Sequence, residues 1–350
     1  MKPDFFKNLP LEIIAEIFLR LPVVSIPISK CVCKRWLHLL ESDAFVKSHF
    51  ARSAPALVFV GDSNQLKVLE LEGYNPLTKY DFPYRFIGRI RNCFNGFLVV
   101  RVGFNKLCVC NPITREVLEL DLPTDPQQST LEVSALGFGA SEVVCIKRRP
   151  YDDKLDCHVY TLGTGSWRRL EGIPFNYHSG SGAFVNGNLH WLATIGEDSS
   201  WISCFDLETE CFSFFKAPPY HAQELPFIRG TTISAMSGCL WFCKVASEYE
   251  SYGGRCELTV WIMKEYGVDE SWSMEYVIPI DDGSTYVDPI KVFENGDLLM
   301  LVTVYFSERL FYYSNKTKTM QSIDLFGAGE TSDRVKCGLF TPTFVSLKTL

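Results

Sequence analysis

The sequence has no unbroken apolar tract of the ~18 residues that a membrane-spanning helix needs. Its opening residues, Met1-Lys2-Pro3-Asp4, lack the charged-then-apolar run of a secretory signal. Excess positive charge is missing too: 34 Lys/Arg face 41 Asp/Glu, giving a net charge of −7, so a broad electrostatic binder of nucleic acid is not expected. No Cys-x-x-Cys and no His-x-x-x-His occurs, and the pairs Cys31/Cys33 and Cys108/Cys110 lack partners at zinc-like spacing. A Gly-x-Ser-x-Gly elbow, a P-loop and a complete Gly-x-Gly-x-x-Gly are also absent. The adjacent carboxylates Asp152-Asp153, Glu197-Asp198 and Asp281-Asp282 sit in polar turns, where solvation explains them better than acid–base chemistry. These absences set expectations of no cofactor, no metal, no catalytic residue, no membrane and no nucleic acid. The thirteen cysteines are then expected to be reduced thiols in the cytoplasm and/or nucleus.

What is present is core-forming material: 350 residues, 47% hydrophobic and 14% aromatic, which excludes disordered and low-complexity classes. The chain changes character near Ala51-Arg52-Ser53-Ala54-Pro55. The first fifty residues hold seven Lys/Arg against five Asp/Glu, and the remaining three hundred hold 27 against 36. Apolar residues in the first part recur at helical spacing. Pro10 suits the first position of a helix carrying Leu11, Ile14, Phe18 and Leu21, with Ile13 and Ile17 as a second stripe beside them. Leu21-Pro22 closes it, Val32, Trp36, Leu39 and Leu40 mark a second helix, and Asp43 is placed to cap a third through Phe50. Such a small module is apolar over too much of its surface to stand alone, so either another protein or the rest of the chain covers it.

The remainder repeats. Asn95-Gly96, Asn186-Gly187 and Asn295-Gly296, with Ser237-Gly238 as a variant, each precede an apolar run, as expected of two-residue type I′ hairpin turns. Leu69, Cys110, Tyr160, Phe205, Trp261 and Tyr312 occupy equivalent places at steps of 41 to 56 residues. That period matches a kelch-type propeller of six four-stranded blades. The first copy lacks its inner strand, and Phe344-Val345-Ser346-Leu347 is the expected donor that closes the ring. Trp191, Trp241 and Trp261 are expected between blades. The longer connections share one rim and carry Tyr151, Phe175, Tyr177, His178, Tyr220, His221, Tyr249, Tyr252 and Tyr286, an aromatic set suited to binding a protein or peptide. Arg148, Arg149, Arg229 and Arg255 lie on the same rim, either to read an acidic segment or to add solubility.

Leu9-Pro10-Leu11-Glu12-Ile13-Ile14-Ala15-Glu16-Ile17-Phe18-Leu19-Arg20-Leu21-Pro22, followed by Cys31-Val32-Cys33-Lys34-Arg35-Trp36, resembles an F-box. The rest is similar to the F-box-associated domain of large plant F-box families, through Asn111-Pro112-Ile113-Thr114-Arg115, Ser166-Trp167-Arg168, Val185–Ala193, Phe205–Glu210 and Val260–Glu265. One departure is Ser25-Ile26-Pro27-Ile28, where Pro27 is expected to shorten a helix. The resemblance implies a small all-α F-box at 1–50 and an all-β, six-bladed propeller at 51–350. It implies the non-catalytic substrate-recognition subunit of an SCF-type ubiquitin ligase, with a Skp-type adaptor, and through it a cullin, as partners. Adaptor contact is carried by this resemblance onto Leu9, Pro10, Ile13, Ile17, Leu21, Pro22, Val32, Cys33 and Trp36, and target contact is expected on the aromatic rim. An F-box-tethered lectin or small-molecule sensor, and an adaptor-free scaffold, are the alternatives.

Overall fold

A computed structural model of the chain describes residues 9–60, 65–71, 76–84, 87–102, 105–123, 132–139, 141–148, 155–170, 173, 177–195, 198–219, 225–250, 253–281, 283–305, 307–323 and 336–349. The chain forms two compact units, one of residues 1–121 with 338–350 and one of residues 122–337.

The first unit begins with helices α1 (Leu11–Phe18), α2 (Ser25–Lys30), α3 (Lys34–Leu40) and α4 (Asp43–Arg52). Pro10 precedes α1 as its N-cap instead of occupying its first turn, and the amide of Ile14 reaches back to the Pro10 carbonyl. The helix closes at Phe18, where Arg20 and Leu21 tighten to bond the carbonyls of Ile17 and Phe18 before Pro22. Pro27 is the third residue of α2, where an amide has no intrahelical acceptor, so its missing N–H costs that short helix nothing. Ser42, not Asp43, caps α4: its hydroxyl accepts from the Phe45 amide at 3.4 Å, while Asp43 sits in the first turn and favours the helix dipole from there.

Two four-stranded antiparallel sheets complete this unit. One contains β1 (Ala56–Val60), β2 (Gln65–Glu70) and β3 (Pro76–Asp81), and the other β4 (Ile87–Phe94), β5 (Phe97–Arg101), β6 (Lys106–Asn111) and β7 (Glu116–Asp121). Ile14, Phe18, Ile26, Leu40 and Phe45 of the helices, with Val23 between α1 and α2, share one core with Val58, Leu66 and Val68 of the first sheet and Leu98, Val100 and Cys108 of the second.

The second unit holds four more four-stranded antiparallel sets, the first two of them joined into one eight-stranded sheet by a short parallel pairing of Gly180 and Ser181 with Ala135 and Leu136. They comprise β8 (Glu132–Gly139), β9 (Glu142–Arg148), β10 (Leu155–Thr161) and β11 (Trp167–Leu170); β12 (Tyr177–Val185), β13 (Asn188–Ile195), β14 (Asp198–Asp206) and β15 (Phe212–Lys216); β16 (Phe227–Met236), β17 (Cys239–Ser247), β18 (Cys256–Met263) and β19 (Trp272–Ile280); and β20 (Ser284–Val292), β21 (Leu298–Val304), β22 (Ser307–Ser314) and β23 (Thr319–Ile323). Six blade-type sheets thus follow the helices. The last strand, β24 (Lys336–Phe340), pairs with β1 and supplies the inner strand that the first sheet lacks. The donor lies upstream of the expected one. Phe344 is instead a core anchor, packed against Phe45 at 6.0 Å and edge-on to His49 at 5.0 Å between ring centroids.

Turn chemistry explains the repeat. Asn95/Gly96, Asn186/Gly187 and Ser237/Gly238 all have positive φ at both residues, as type I′ requires. The Asn295-Gly296 turn differs. Only Gly296 has positive φ, its amide bonds the Phe293 carbonyl, and Asp297 accepts from Asn295, Tyr312 and the Asn315 amide. One more residue in that loop moves it out of the two-residue class. Between the third and fourth strands Asn111 and Asp206 play one role. Each side-chain oxygen accepts two amides ahead of it, at 2.9 and 3.3 Å for Asn111 and 2.8 and 2.8 Å for Asp206, and a residue of positive φ, Arg115 or Glu210, closes the turn. The buried tryptophans cement sheets in pairs. Trp191 lies with Val144, Ile146 and Leu189, where Gly137 leaves room for its ring; Trp261 joins Ile202 and Phe215; Trp241 joins Leu298 and Met300.

Candidate protein-interaction face

Burial divides the first helix unevenly. Ile14 and Phe18 enter the core, whereas Leu11, Ile13, Ile17 and Leu21 remain exposed. Ile28 of α2 is 72% exposed and Val32, just before α3, is 61% exposed. Leaving six large apolar side chains in water within 22 residues is a standing hydrophobic cost, and a partner surface would remove it at roughly 25 cal/mol per Å² of apolar area covered. The apolar excess read in the sequence therefore has two causes. One side of the helices packs on the two sheets of the same unit, and the other side is open.

The residues singled out for adaptor contact separate accordingly. Ile13, Ile17, Leu21 and Val32 are exposed apolar side chains, and Pro10, Pro22 and Cys33 are exposed beside them. Leu9 and Trp36 are half-buried and brace the core; Trp36 stands edge-on to Phe18 at 4.9 Å, and the Leu9 carbonyl accepts from Arg35 at 2.8 Å. Sequence reasoning missed Leu11 and Ile28 as exposed residues. Leu11 shares a stripe with Ile14 in the sequence, and Ile28 follows a proline, so neither spacing signalled exposure. Arg52 clamps Glu16 with bonds of 3.2 and 3.3 Å, and this holds the Glu16 carboxyl below its ordinary range. One of the two exposed carboxylates of α1, Glu16, is thereby tied to α4.

The expected target-binding residues are less completely placed. Tyr151, Phe175, Tyr220, His221 and Tyr252 lie outside the described residues, as do the side chains of Tyr177 and His178, whose backbones pair with Thr194 and Ala193. Tyr249 is exposed. Tyr286 is a strand residue paired with Thr303, not a loop residue, and it too is exposed. Of the rim cations, Arg149 lies outside the described residues and Arg148 ends strand β9. Arg229 donates to the Ser247 hydroxyl at 2.8 Å and the Tyr249 carbonyl at 3.1 Å, and Arg255 pairs with Glu257 at 3.2 Å. Those two arginines serve the loop itself.

One polar cluster has the residue types of a catalytic site. His190 Nδ1 faces the Ala183 carbonyl at 3.0 Å, its Nε2 meets the Tyr266 hydroxyl at 2.8 Å, and Cys204 Sγ is 3.4 Å from the same hydroxyl. A carbonyl only accepts, so Nδ1 carries the proton, Nε2 accepts from Tyr266, and the thiol donates to the tyrosine oxygen. Burial pushes both the thiol and the phenol up, and takes His190 down to about 4. This chain keeps the thiol protonated, the reverse of nucleophile activation. Its role is to tie the β18–β19 connection to β13 and β14. Cys93 and Cys108 are likewise pushed up to about 12 by burial, and among the described residues no group of His, Cys, Asp and Glu is placed to hold a metal. No helix among the described residues is long and apolar enough to cross a membrane.

The buried histidine sets a pH dependence. His190 and His158 both fall to about 4 through burial, against about 6.5 in an unfolded chain. The unfolded state then binds more protons between pH 4 and 6.5, so stability declines as pH falls through that window and is level above it. His190 alone contributes about 2 kcal/mol of loss between pH 7 and 5. Urea unfolding at the two pH values should show a smaller loss for His190→Gln than for the native chain; equal losses would show that His190 does not titrate as a buried neutral base.

Comparison with known proteins agrees with these features. Residues 6–48 match the F-box domain, and residues 53–345 match the F-box associated beta propeller domain. The F-box/kelch-repeat protein At3g23880 of Arabidopsis thaliana is 28% identical over 307 residues, covering 78% of this chain and 80% of that protein. The Arabidopsis thaliana F-box protein CPR1 is 25% identical, covering 77% of this chain and 73% of its own length, and F-box protein At3g57590 of the same plant is 26% identical, covering 94% and 88%. The helices with an open apolar side, and the six blade-type sheets that follow them, are those of an F-box protein with an F-box-associated β-propeller domain, and the chain belongs to that family.

Proposed function

We propose that the chain is a substrate-recognition subunit of an SCF-type ubiquitin ligase, with residues 1–50 binding a Skp-type adaptor and residues 51–350 holding the protein to be ubiquitinated. F-box proteins are in general non-catalytic substrate adaptors, and membership of the family supports that role for this chain. The observation that carries the reading is the open apolar face of Leu11, Ile13, Ile17, Leu21, Ile28 and Val32. The chain makes and breaks no bond in this scheme. It raises the effective concentration of target lysines near the charged ubiquitin carrier, and ordered four-stranded sheets supply a stiff support for that placement.

Co-expression tests it. A Skp-type adaptor should co-purify with the full chain in equimolar amount and remain bound through gel filtration. A chain that elutes alone, folded and with its helices intact, would remove the ligase reading and leave a scaffold.

A further inference from the structure

Five large side chains stand exposed at one end of the last two described sheets of the second unit. Phe227 and Ile228 begin β16, Tyr249 follows β17, Tyr286 lies near the start of β20, and Tyr305 occupies the turn from β21 to β22. The strand registers put them on a common rim: Phe227 pairs with Ser247, Ser247 with Cys256, and Ser284 with Val304. The two sheets adjoin there, since the Thr232 hydroxyl donates to the Val287 carbonyl.

Two features set this rim apart from scattered surface apolar residues. Tyr305 has φ of +46°, a left-handed conformation unusual for an aromatic residue, and is still 56% exposed. Its amide bonds the Gly283 carbonyl at 3.2 Å, and its ring lies against Gly283, where a side chain would collide with it. The second feature is charge. Glu248, Glu250 and Asp281 are exposed carboxylates on the same rim, where Arg255 is engaged with Glu257, and Arg229 with Ser247 and Tyr249. Phenol faces among carboxylates suit cationic side chains, through charge and through cation–π contact, and the chain's net charge of −7 favours their approach.

We propose, resting on the ligase reading above, that this rim is the target-docking surface and that its occupant is a basic segment of a partner protein, in which Lys or Arg alternates with apolar side chains. The apolar residues of the segment cover Phe227 and Ile228, and its cations lie over Tyr249, Tyr286 and Tyr305 within reach of Glu248, Glu250 and Asp281.

The probe is a set of fluorescent peptides of one apolar pattern, whose charged positions are all Lys, all Gln or all Glu, titrated into the full chain with its adaptor. The Lys peptide should bind, more weakly at high salt, and the Glu peptide should not. Tyr249→Ser/Tyr286→Ser/Tyr305→Ser should weaken the Lys peptide by about tenfold or more, through loss of three exposed rings. Glu248→Lys/Glu250→Lys changes only exposed positions and should reverse the order of the Lys and Glu peptides. Adaptor binding, measured on the same samples, should be unchanged in both variants. Equal binding of Lys and Glu peptides, Lys binding indifferent to both variants, no binding of any peptide, or self-association of the chain through this rim would each overturn the proposal. Loss of adaptor binding in the native chain, with peptide selectivity kept, would overturn the ligase reading and leave the rim assignment standing.

Discussion

Ile17→Asp together with Val32→Asp should abolish adaptor binding while leaving the chain folded. Both side chains are exposed, so the substitution costs the isolated chain little: a carboxylate replaces an apolar group that already faces water. In a complex the same two carboxylates would be desolvated against an apolar partner surface with no cation supplied. Each such burial costs several kcal/mol, and two together amount to a loss of at least about a thousandfold. Surface plasmon resonance with immobilised adaptor reads the loss, and unchanged circular dichroism and thermal unfolding show that the fold survives. Binding retained within threefold would mean that this face is not the interface. Leu21→Asp belongs with this pair. Leu9→Asp does not, because Leu9 packs against the core and its substitution mixes a folding defect with a binding one.

Asn111→Ala should be the most damaging single change to the fold. The Asn111 side chain is fully buried and satisfies four backbone groups. Nδ2 donates to the carbonyls of Thr343 and Val345 at 3.0 and 2.8 Å, and Oδ1 accepts from the amides of Ile113 and Thr114. Alanine removes all four bonds and strands buried carbonyls, each at about 1–3 kcal/mol, so a total near 4 kcal/mol is expected. The damage reaches further along the chain. The segment after β24 is held by Asn111, by Glu116 through Ser346 and the Leu347 amide, and by Phe344 in the core, and it lies so close to Gly96 that a side chain there would collide with Thr343. Loosening it should expose residues 341–349 to proteolysis before the rest unfolds. Asp206→Ala is the control. Asp206 makes the same two turn bonds from a half-buried site and, among the described residues, holds no tail segment as Asn111 does, so it should cost about 1 kcal/mol. Equal costs for the two would show that the bonds to Thr343 and Val345 contribute nothing.

This contrast bears on what the family resemblance records. Asn111-Pro112-Ile113-Thr114-Arg115 and Phe205–Glu210, which carry it in the second part of the chain, are turn formers and a tail clamp. They close the turns that follow the third strands of their sheets. The aromatic rim lies on other residues, which no repeat predicts.

The period and three of the four hairpin turns were legible in the amino-acid order because they depend on neighbours. Helical spacing located α1 and α3, paired positive-φ residues located three hairpins, and the fifty-residue recurrence located six sheets, since local sterics and one apolar face determine each of these. Tertiary structure alone decided what depends on residues far apart in the chain. It divided the apolar circumference of α1, sending Ile14 and Phe18 inward against sheets some fifty to ninety residues away and leaving Ile13 and Ile17 open. It chose Lys336–Phe340 over Phe344–Leu347 as the closing strand and set Phe344 in the core beside Phe45 and His49. It also turned Arg229 and Arg255 from free cations into supports for their own loop. A side chain's spacing says which neighbours share its face, but only the packed chain says whether that face meets protein or water.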